Sequence, residues 1–416
     1  MTNRMSTRSV GGMSDVTLNR DLRRGRSESR PWRRLLPLIL ATGSSQALLA
    51  VFAPAVVAIA GEFDASVGLI GQARTITAAT AVVASVVIAT RMDRIGLPRM
   101  LKAGAGLAIL ACLGIAVSPT LWVFLLSHVV MGLGFAFLVS AGFAGIATFD
   151  RETRSWAAGY VTASIAGSWI AVSPAAGLLT DSISWRAAYL APAVIALCGL
   201  LSIRRDPLST EDEVVSGQGR RTGSLREVAA LPSARRWIIA ELIYYTAWAT
   251  FLTFSGAFFI EALGTSESAV GWILALGPAA FVLSATQSPA LAKRFPRPRV
   301  VTVAELSIGL LLLVLLVITR SLVVAAGMQI LIGAIAGLRT PLSSTLGLAQ
   351  IPDLPGAMMS VRTAVNQLGY LFAGLIGGVV IAAWGYAALG LVLAVILGTS
   401  GLLFLRVREP ATPQLQ

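Results

Sequence analysis

The chain has 416 residues, 56% of them hydrophobic and only 13% charged, with a mean hydropathy of +0.77. A soluble globule would carry about twice that charge fraction, so a water-soluble fold is excluded and the bilayer is the main solvent. A net charge of +13 would fit a nucleic-acid partner, but the charges crowd into alternate loops between apolar runs, which excludes one.

Residues 1–34 form a tail rich in arginine and serine and poor in acids. That composition also marks organellar transit peptides; a basic tail on the inner membrane face is the reading adopted. A crossing helix needs roughly 20 apolar residues. Twelve such runs follow, at 35–60, 66–89, 100–118, 121–149, 157–179, 186–203, 237–262, 268–291, 300–319, 321–341, 357–382 and 386–405. Six lie on each side of a polar stretch at 204–236, where TEDE, SGQG and RRTGS read as a flexible tether. The expected organisation is a tail 1–34, a six-helix half 35–203, a linker 204–236, a second half 237–406 and a tail 407–416.

Arginine and lysine gather before Leu35, from Arg91 to Arg99, at Arg151 and Arg154, from Arg204 to Arg236, from Lys293 to Arg299 and after Arg406. The opposite loops hold almost none, Arg186 and Arg320 excepted. The positive-inside rule therefore places both termini and the linker in the cytoplasm, as an even number of spans requires. The expected location is the inner or plasma membrane, multi-pass.

The two halves repeat one another. Gly61 to Gly68 reads GEFDASVG and Gly264 to Gly271 reads GTSESAVG. RIGLPR from Arg94 returns as RFPRPR from Arg294, and His128-Val-Val-Met-Gly132 as Gln329-Ile-Leu-Ile-Gly333. Duplicated spans imply a two-halved transporter that binds a small molecule between its repeats near the bilayer midplane.

Ionisable groups inside spans are functional candidates. His128, the one histidine, can change charge near neutral pH and is a candidate for proton coupling, with Gln329 at its pseudo-equivalent place. Glu241, Tyr244, Tyr245 and Trp248 share a helical face, a set that suits an amphipathic cation through cation–π attraction. Glu241 is a second candidate for proton coupling, although it stands near enough to the boundary to pair with Arg235 or Arg236 at the surface. Glu305 is expected to pair with Arg294 or Arg297.

Arg362, Asn366 and Tyr370 fall at i, i+4 and i+8. Arg74 sits about eight residues into span 2, roughly 12 Å deep, with no acid evident at its level; facing a cavity, it favours an anionic substrate. Gln46 and Trp169 add neutral lining. Cys112 and Cys198 lack metal-ligand spacing and read as small core residues, so no metal or cofactor is expected. With no Walker loop or nucleophile elbow, neither ATP-driven pumping nor catalysis is indicated.

The segment Ala89–Arg99, ATRMDRIGLPR, resembles the signature between the second and third helices of the major facilitator superfamily, G-x-x-x-D-R-x-G-R-[KR]. Asp93, Arg94 and Gly96 fall in place, with Ala89 at the leading glycine and Leu97-Pro98-Arg99 at the basic pair. Pro54, Arg154–Gly159 and Trp185-Arg186 extend the similarity along the chain. Trp169 to Gly177, with Pro174, keeps half of the fifth-helix pattern G-x-x-x-G-P-x-x-G-G of the drug:proton antiporter branch, whose fourth-helix arginine is His128 here.

The resemblance implies an all-α membrane protein with twelve helices in two pseudo-symmetric halves. It further implies proton-coupled export of a small organic molecule by alternating access, through one complete pathway in each monomer. Uptake or facilitated diffusion of an organic anion, and a transporter-like sensor, are the alternatives. In the family the loop aspartate sits against the start of helix 11. Asp93 and Arg362 are therefore expected to form a latch, with Arg94, Gly96, Pro174 and Gly177 as further gating positions.

Overall fold

In hydrocarbon every backbone N–H and C=O must be satisfied within the protein, which leaves helices as the spanning element for a chain with these long apolar runs. The computed structural model describes residues 30–204, 231–351 and 355–409, and they are almost wholly helical with no strand among them. The tail before residue 30, most of the linker and the last residues lie outside the described residues, as do some side chains, Asp93 among them.

The first span is broken. Helix α1 (Arg30–Ala50) meets α2 (Phe52–Glu62) at a 42° bend around Val51. Pro54 explains the break: it offers no N–H to the Ala50 carbonyl, and its ring presses on that group. Helices α3 (Val67–Ile95), α4 (Leu97–Ala116), α5 (Leu121–Ala144), α6 (Arg151–Ser182), α7 (Trp185–Ala188) and α8 (Leu190–Arg204) follow. Beyond the linker come α9 (Pro232–Ala257), α10 (Glu267–Ala285), the short α11 (Ser288–Arg294), α12 (Arg297–Val317), α13 (Leu322–Gln350) and α14 (Pro355–Phe404).

Ten helices among the described residues are long and apolar enough to cross a membrane, or eleven with the bent α1–α2 pair as one span. Twelve runs were expected, and the difference lies in α14. Its apolar part, Val361–Phe404, is 44 residues long, about 66 Å of helix and twice a hydrocarbon core. Gly385 breaks it with φ 75° and ψ −172°. The break falls between the expected runs 357–382 and 386–405, and counting its two arms separately gives twelve.

The sequence repeat has a structural counterpart. The Ser66 hydroxyl accepts from the Leu69 N–H, and the Ser266 hydroxyl from the Ala269 N–H. Both octapeptides therefore cap the helix that follows. The residues two places before each serine, Asp64 and Gly264, both have positive φ. Gly96, at φ 78°, turns the chain between α3 and α4.

Helices α1 and α3 to α8 pack together, as do α9, α10 and α12 to α14. Between these groups α6 packs on α10, α3 on α14 and α2 on α9. At the end of the bundle away from the described chain ends, these three crossings bring backbones together. A Cβ at Gly177 would strike the Glu267 carbonyl, one at Gly68 the Gly378 carbonyl and one at Gly256 the Ala53 carbonyl. Large apolar side chains such as Val83, Trp122, Leu283 and Val323 face outward, where lipid would cover them. Cys112 is buried as expected, whereas Cys198 lies on the exposed face of α8.

Gly385 has open space where a Cβ would stand, so its glycine is required by conformation alone. Gly385→Ala is expected to cost about 1–3 kcal/mol, seen as a lower melting temperature in detergent.

Candidate functional site

Three helices converge on a buried ionic cluster. Arg339 of α13, Glu241 of α9 and Glu305 of α12 all have fully buried side chains. From Arg339, NH1 lies 2.9 Å from Glu241 Oε1, while Nε and NH2 lie 3.0 and 2.7 Å from Glu305 Oε1. The Ser343 hydroxyl donates to Glu241, and Trp237 donates to the Ser343 carbonyl at 3.0 Å. The Tyr244 ring lies under the guanidinium at 3.5 Å, and the Phe404 ring is 5.2 Å away. By helical rise, the three charges stand roughly 12–16 Å from the helix ends nearest the described chain termini.

This arrangement corrects two expectations. Glu241 does not pair with Arg235 or Arg236, because its carboxylate is fully buried against Arg339 and Ser343 of α13. Glu305 does not pair with Arg294 or Arg297, and Arg297 instead bonds Glu409 at 2.6 Å. The expected cation over the α9 aromatics is present, but it is the protein's own Arg339. That residue was missed by sequence reading, although an arginine near the end of an apolar run was the available signal. Two carboxylates face one guanidinium, and Oε2 of each glutamate has no hydrogen-bond partner. With both acids ionised the cluster carries one uncompensated negative charge.

A second buried cation is isolated. Arg74 of α3 is 3% exposed, donates to the Leu49 carbonyl at 3.3 Å, and lies 5.8 Å from the Phe52 ring and 5.2 Å from the Tyr370 ring. It lines a small cavity with Leu49, Thr77, Ala78, Phe135, Gln367 and Tyr370. Among the described residues no carboxylate pairs with it.

The remaining predicted residues fall around these centres. Trp169 donates to Gln46 at 3.3 Å, joining α6 to α1. His128 is buried, its Nδ1 is 2.8 Å from the Phe124 carbonyl and its Nε2 lacks a partner. A carbonyl only accepts, so Nδ1 carries a proton. Gln329 lies against Gly277, with its Oε1 unpartnered. Tyr244 and Trp248 rings are nearly parallel at 6.2 Å. Tyr245 turns the other way and accepts from Arg362 at 2.7 Å. Asn366 keeps an unpartnered Oδ1 on the same α14 face. Pro174 and Gly177 lie where α6 meets α10, and Arg94 is exposed. The Asp93 side chain, half of the expected latch, lies outside the described residues.

A helical bundle with an apolar girdle and buried charges between its spans is a multi-pass membrane protein. The sequence pattern of the Major Facilitator Superfamily matches residues 38–352 and 237–416. The chain belongs to that superfamily and is a multi-pass membrane transporter rather than an enzyme. A search against curated proteins by sequence returns no match. Among solved structures, a D-xylose-proton symporter is similar at a TM-score of 0.75 and 14% identity, covering 91% of this chain and 98% of that one. A peptide transporter POT mutant in complex with sulfate is similar at 0.70 and 13%, covering 90% and 93%. At these identities the likeness is one of fold.

Removing one partner of a buried ion cluster strands the others. Arg339→Met is expected to destabilise the protein by about 3–5 kcal/mol, and Glu241→Gln by much less because one carboxylate remains for the guanidinium. Melting of both variants in one detergent checks the order.

Proposed function

We propose that the protein is a proton-coupled secondary transporter that exports a small organic molecule by alternating access. The observation that carries this reading is the surplus carboxylate in the Glu241–Arg339–Glu305 cluster. Arginine keeps its charge in proteins, and an uncompensated charge this deep costs several kcal/mol. One proton shared by the glutamates brings the cluster to neutrality, and its release restores the negative charge. A site that changes charge inside a membrane helix bundle can tie proton movement to helix movement. Similarity in fold to a protein named as a proton symporter supports coupling on such a scaffold. His128, packed among rings with an unpartnered Nε2, is the second candidate for the proton.

Residues 35–203 and 237–406 would act as the two rocking halves, and a monomer would hold one pathway. The crossings at Gly68, Gly177 and Gly256 are close backbone contacts without ion pairs, bridged at α3–α14 by the exchangeable bonds of Gln72 and Thr75, so they can part and re-form. At the other end, Asp93 against Arg362 would serve as the opposing latch, with the turn at Arg94 and Gly96 placing the aspartate. By the positive-inside rule, the arginine-rich ends of the helices support a cytoplasmic position for that side and both termini, in a plasma-membrane protein. Export follows from the resemblance of the Pro174–Gly177 segment to the antiporter pattern.

Inverted vesicles with an energised proton gradient and a pH-sensitive dye, challenged with pools of lipophilic cations and of organic anions, test this reading. Wild-type protein is expected to discharge the gradient with one pool. Glu241→Gln and Glu305→Gln, each locking the cluster neutral, should reduce that discharge to the level of empty vesicles while still exchanging labelled for unlabelled substrate. Proton movement retained by both variants would rule the cluster out.

A further inference from the structure

We propose that the substrate is an organic anion, a carboxylate on an apolar or aromatic body, and that Arg74 supplies its counter-charge. This deepens the transporter reading and rests on it.

The arginines of the described residues differ in their partners. Arg339 is enclosed by two glutamates, Arg186 pairs with Glu62 and Arg297 with Glu409. Arg74 is as inaccessible as Arg339, yet its recorded partners are one backbone carbonyl and two ring faces. A guanidinium offers five N–H donors and cannot shed its charge, so this site holds a cation whose counter-ion is missing. The cost is several kcal/mol, and a protein retains such a group where a ligand completes it.

The surroundings define what completes it. The cavity wall contains no acid: Thr77, Gln367 and Tyr370 contribute neutral polar groups, while Leu49, Ala78 and Phe135 contribute apolar surface. Tyr189 lies within electrostatic range of Arg74, and its hydroxyl is buried without a hydrogen-bond partner. His128 stands close behind, where its backbone carbonyl meets the Thr77 hydroxyl at 3.4 Å. The Gln367 amide and the tyrosine hydroxyls offer donors for an oxyanion, the apolar side chains offer walls for its body, and no carboxylate is present to attract a cation. A planar guanidinium matches a carboxylate in two parallel hydrogen bonds.

The cavity also shows how the ligand would enter. At about 10 Å³ it has room for a water and no more, so α3 and α14 must part to admit a substrate. Between these helices Gln72 donates to the Gly374 carbonyl at 2.9 Å and Thr75 to the Leu371 carbonyl at 3.3 Å, with glycine backbones in contact at Gly68 and Gly378. That seam is held by a few exchangeable hydrogen bonds over close backbone, and its bonding residues Gln72 and Thr75 flank Arg74 on α3.

The test is equilibrium binding to the purified full-length protein in detergent, with no gradient imposed, so its failure is separate from failure of proton coupling. Benzoate, phenylacetate and octanoate are compared with their amides and with benzylamine, by calorimetry and by shift of the melting temperature. At least one carboxylate is expected to bind about tenfold or more tightly than its amide, and benzylamine not at all. Arg74→Met should abolish that preference and raise the melting temperature of the unliganded protein, because it removes an uncompensated charge. Arg74→Lys should keep the preference with weaker binding. The proposal is overturned if no carboxylate surpasses its amide, if benzylamine binds best, or if Arg74→Met leaves carboxylate binding intact. A lower melting temperature for unliganded Arg74→Met would likewise overturn it, by showing that Arg74 is a structural strut.

Discussion

One guanidinium shared between two carboxylates fixes the relation of α9, α12 and α13. Lipid tails are as apolar as leucine, so helices in a membrane gain little from hydrophobic exclusion and depend on close packing and polar contacts. Arg339 supplies a polar contact that reaches two helices at once, and Tyr244 and Phe404 close it above and below. On the proposed reading, the surplus acid makes the strength of this contact depend on a proton. The same contact is thus both a brace and a variable, which a neutral leucine seam could not be.

The opposite end of the bundle is built on another principle. Where α3 meets α14, α6 meets α10 and α2 meets α9, backbones touch with glycine on at least one side. Such contacts carry no charge, and at the α3–α14 crossing the side-chain bonds beside them are those of Gln72 and Thr75 to backbone carbonyls. A strong charged cluster toward one end and smooth seams at the other let rigid helix groups separate at the seams without losing internal order. The cluster joins helices of one group while the seams join the two groups, so parting at the seams leaves the cluster intact.

Much of the fold was legible in the sequence because the bilayer imposes a length rule, and the repeat of GEFDASVG as GTSESAVG marks equivalent helix starts. The break at Val51 was less legible, since Pro54 announces a kink without saying whether one helix or two results. Gly385 fell between two expected spans, yet the helix runs through both of its flanks with the bend confined to one residue. The cluster was misread at both acids for a single reason. Distance from a helix end was taken as closeness to water, and Glu241 and Glu305 were assigned nearby basic residues in their own loops. Helix packing instead turned them inward to an arginine from a third helix, 34 residues from Glu305 and 98 from Glu241 in sequence. Such a partner cannot be seen from local spacing. Arg74 was legible as an anomaly for the opposite reason, because no acid was present at its level to misassign.

The two buried arginines are linked through α9 and α14. Tyr244 lies under Arg339, while its neighbour Tyr245 accepts from Arg362 on α14. Two turns further along the same α14 face, Tyr370 covers Arg74. The ionic cluster and Arg74, the proposed proton and anion sites, therefore both bear on α14, which packs on α9 and α12 on one side and on α3 on the other. Coupling requires that each ligand prefer one arrangement of a shared element. A proton alters the charge that α9 and α12 present to their neighbours, and an anion at Arg74 alters the charge that α3 presents to α14. Each ligand neutralises a buried charge that the empty protein leaves uncompensated, so each has a differential interaction with the states of that seam. A carrier with both charges satisfied internally would bind its cargo without being moved by it.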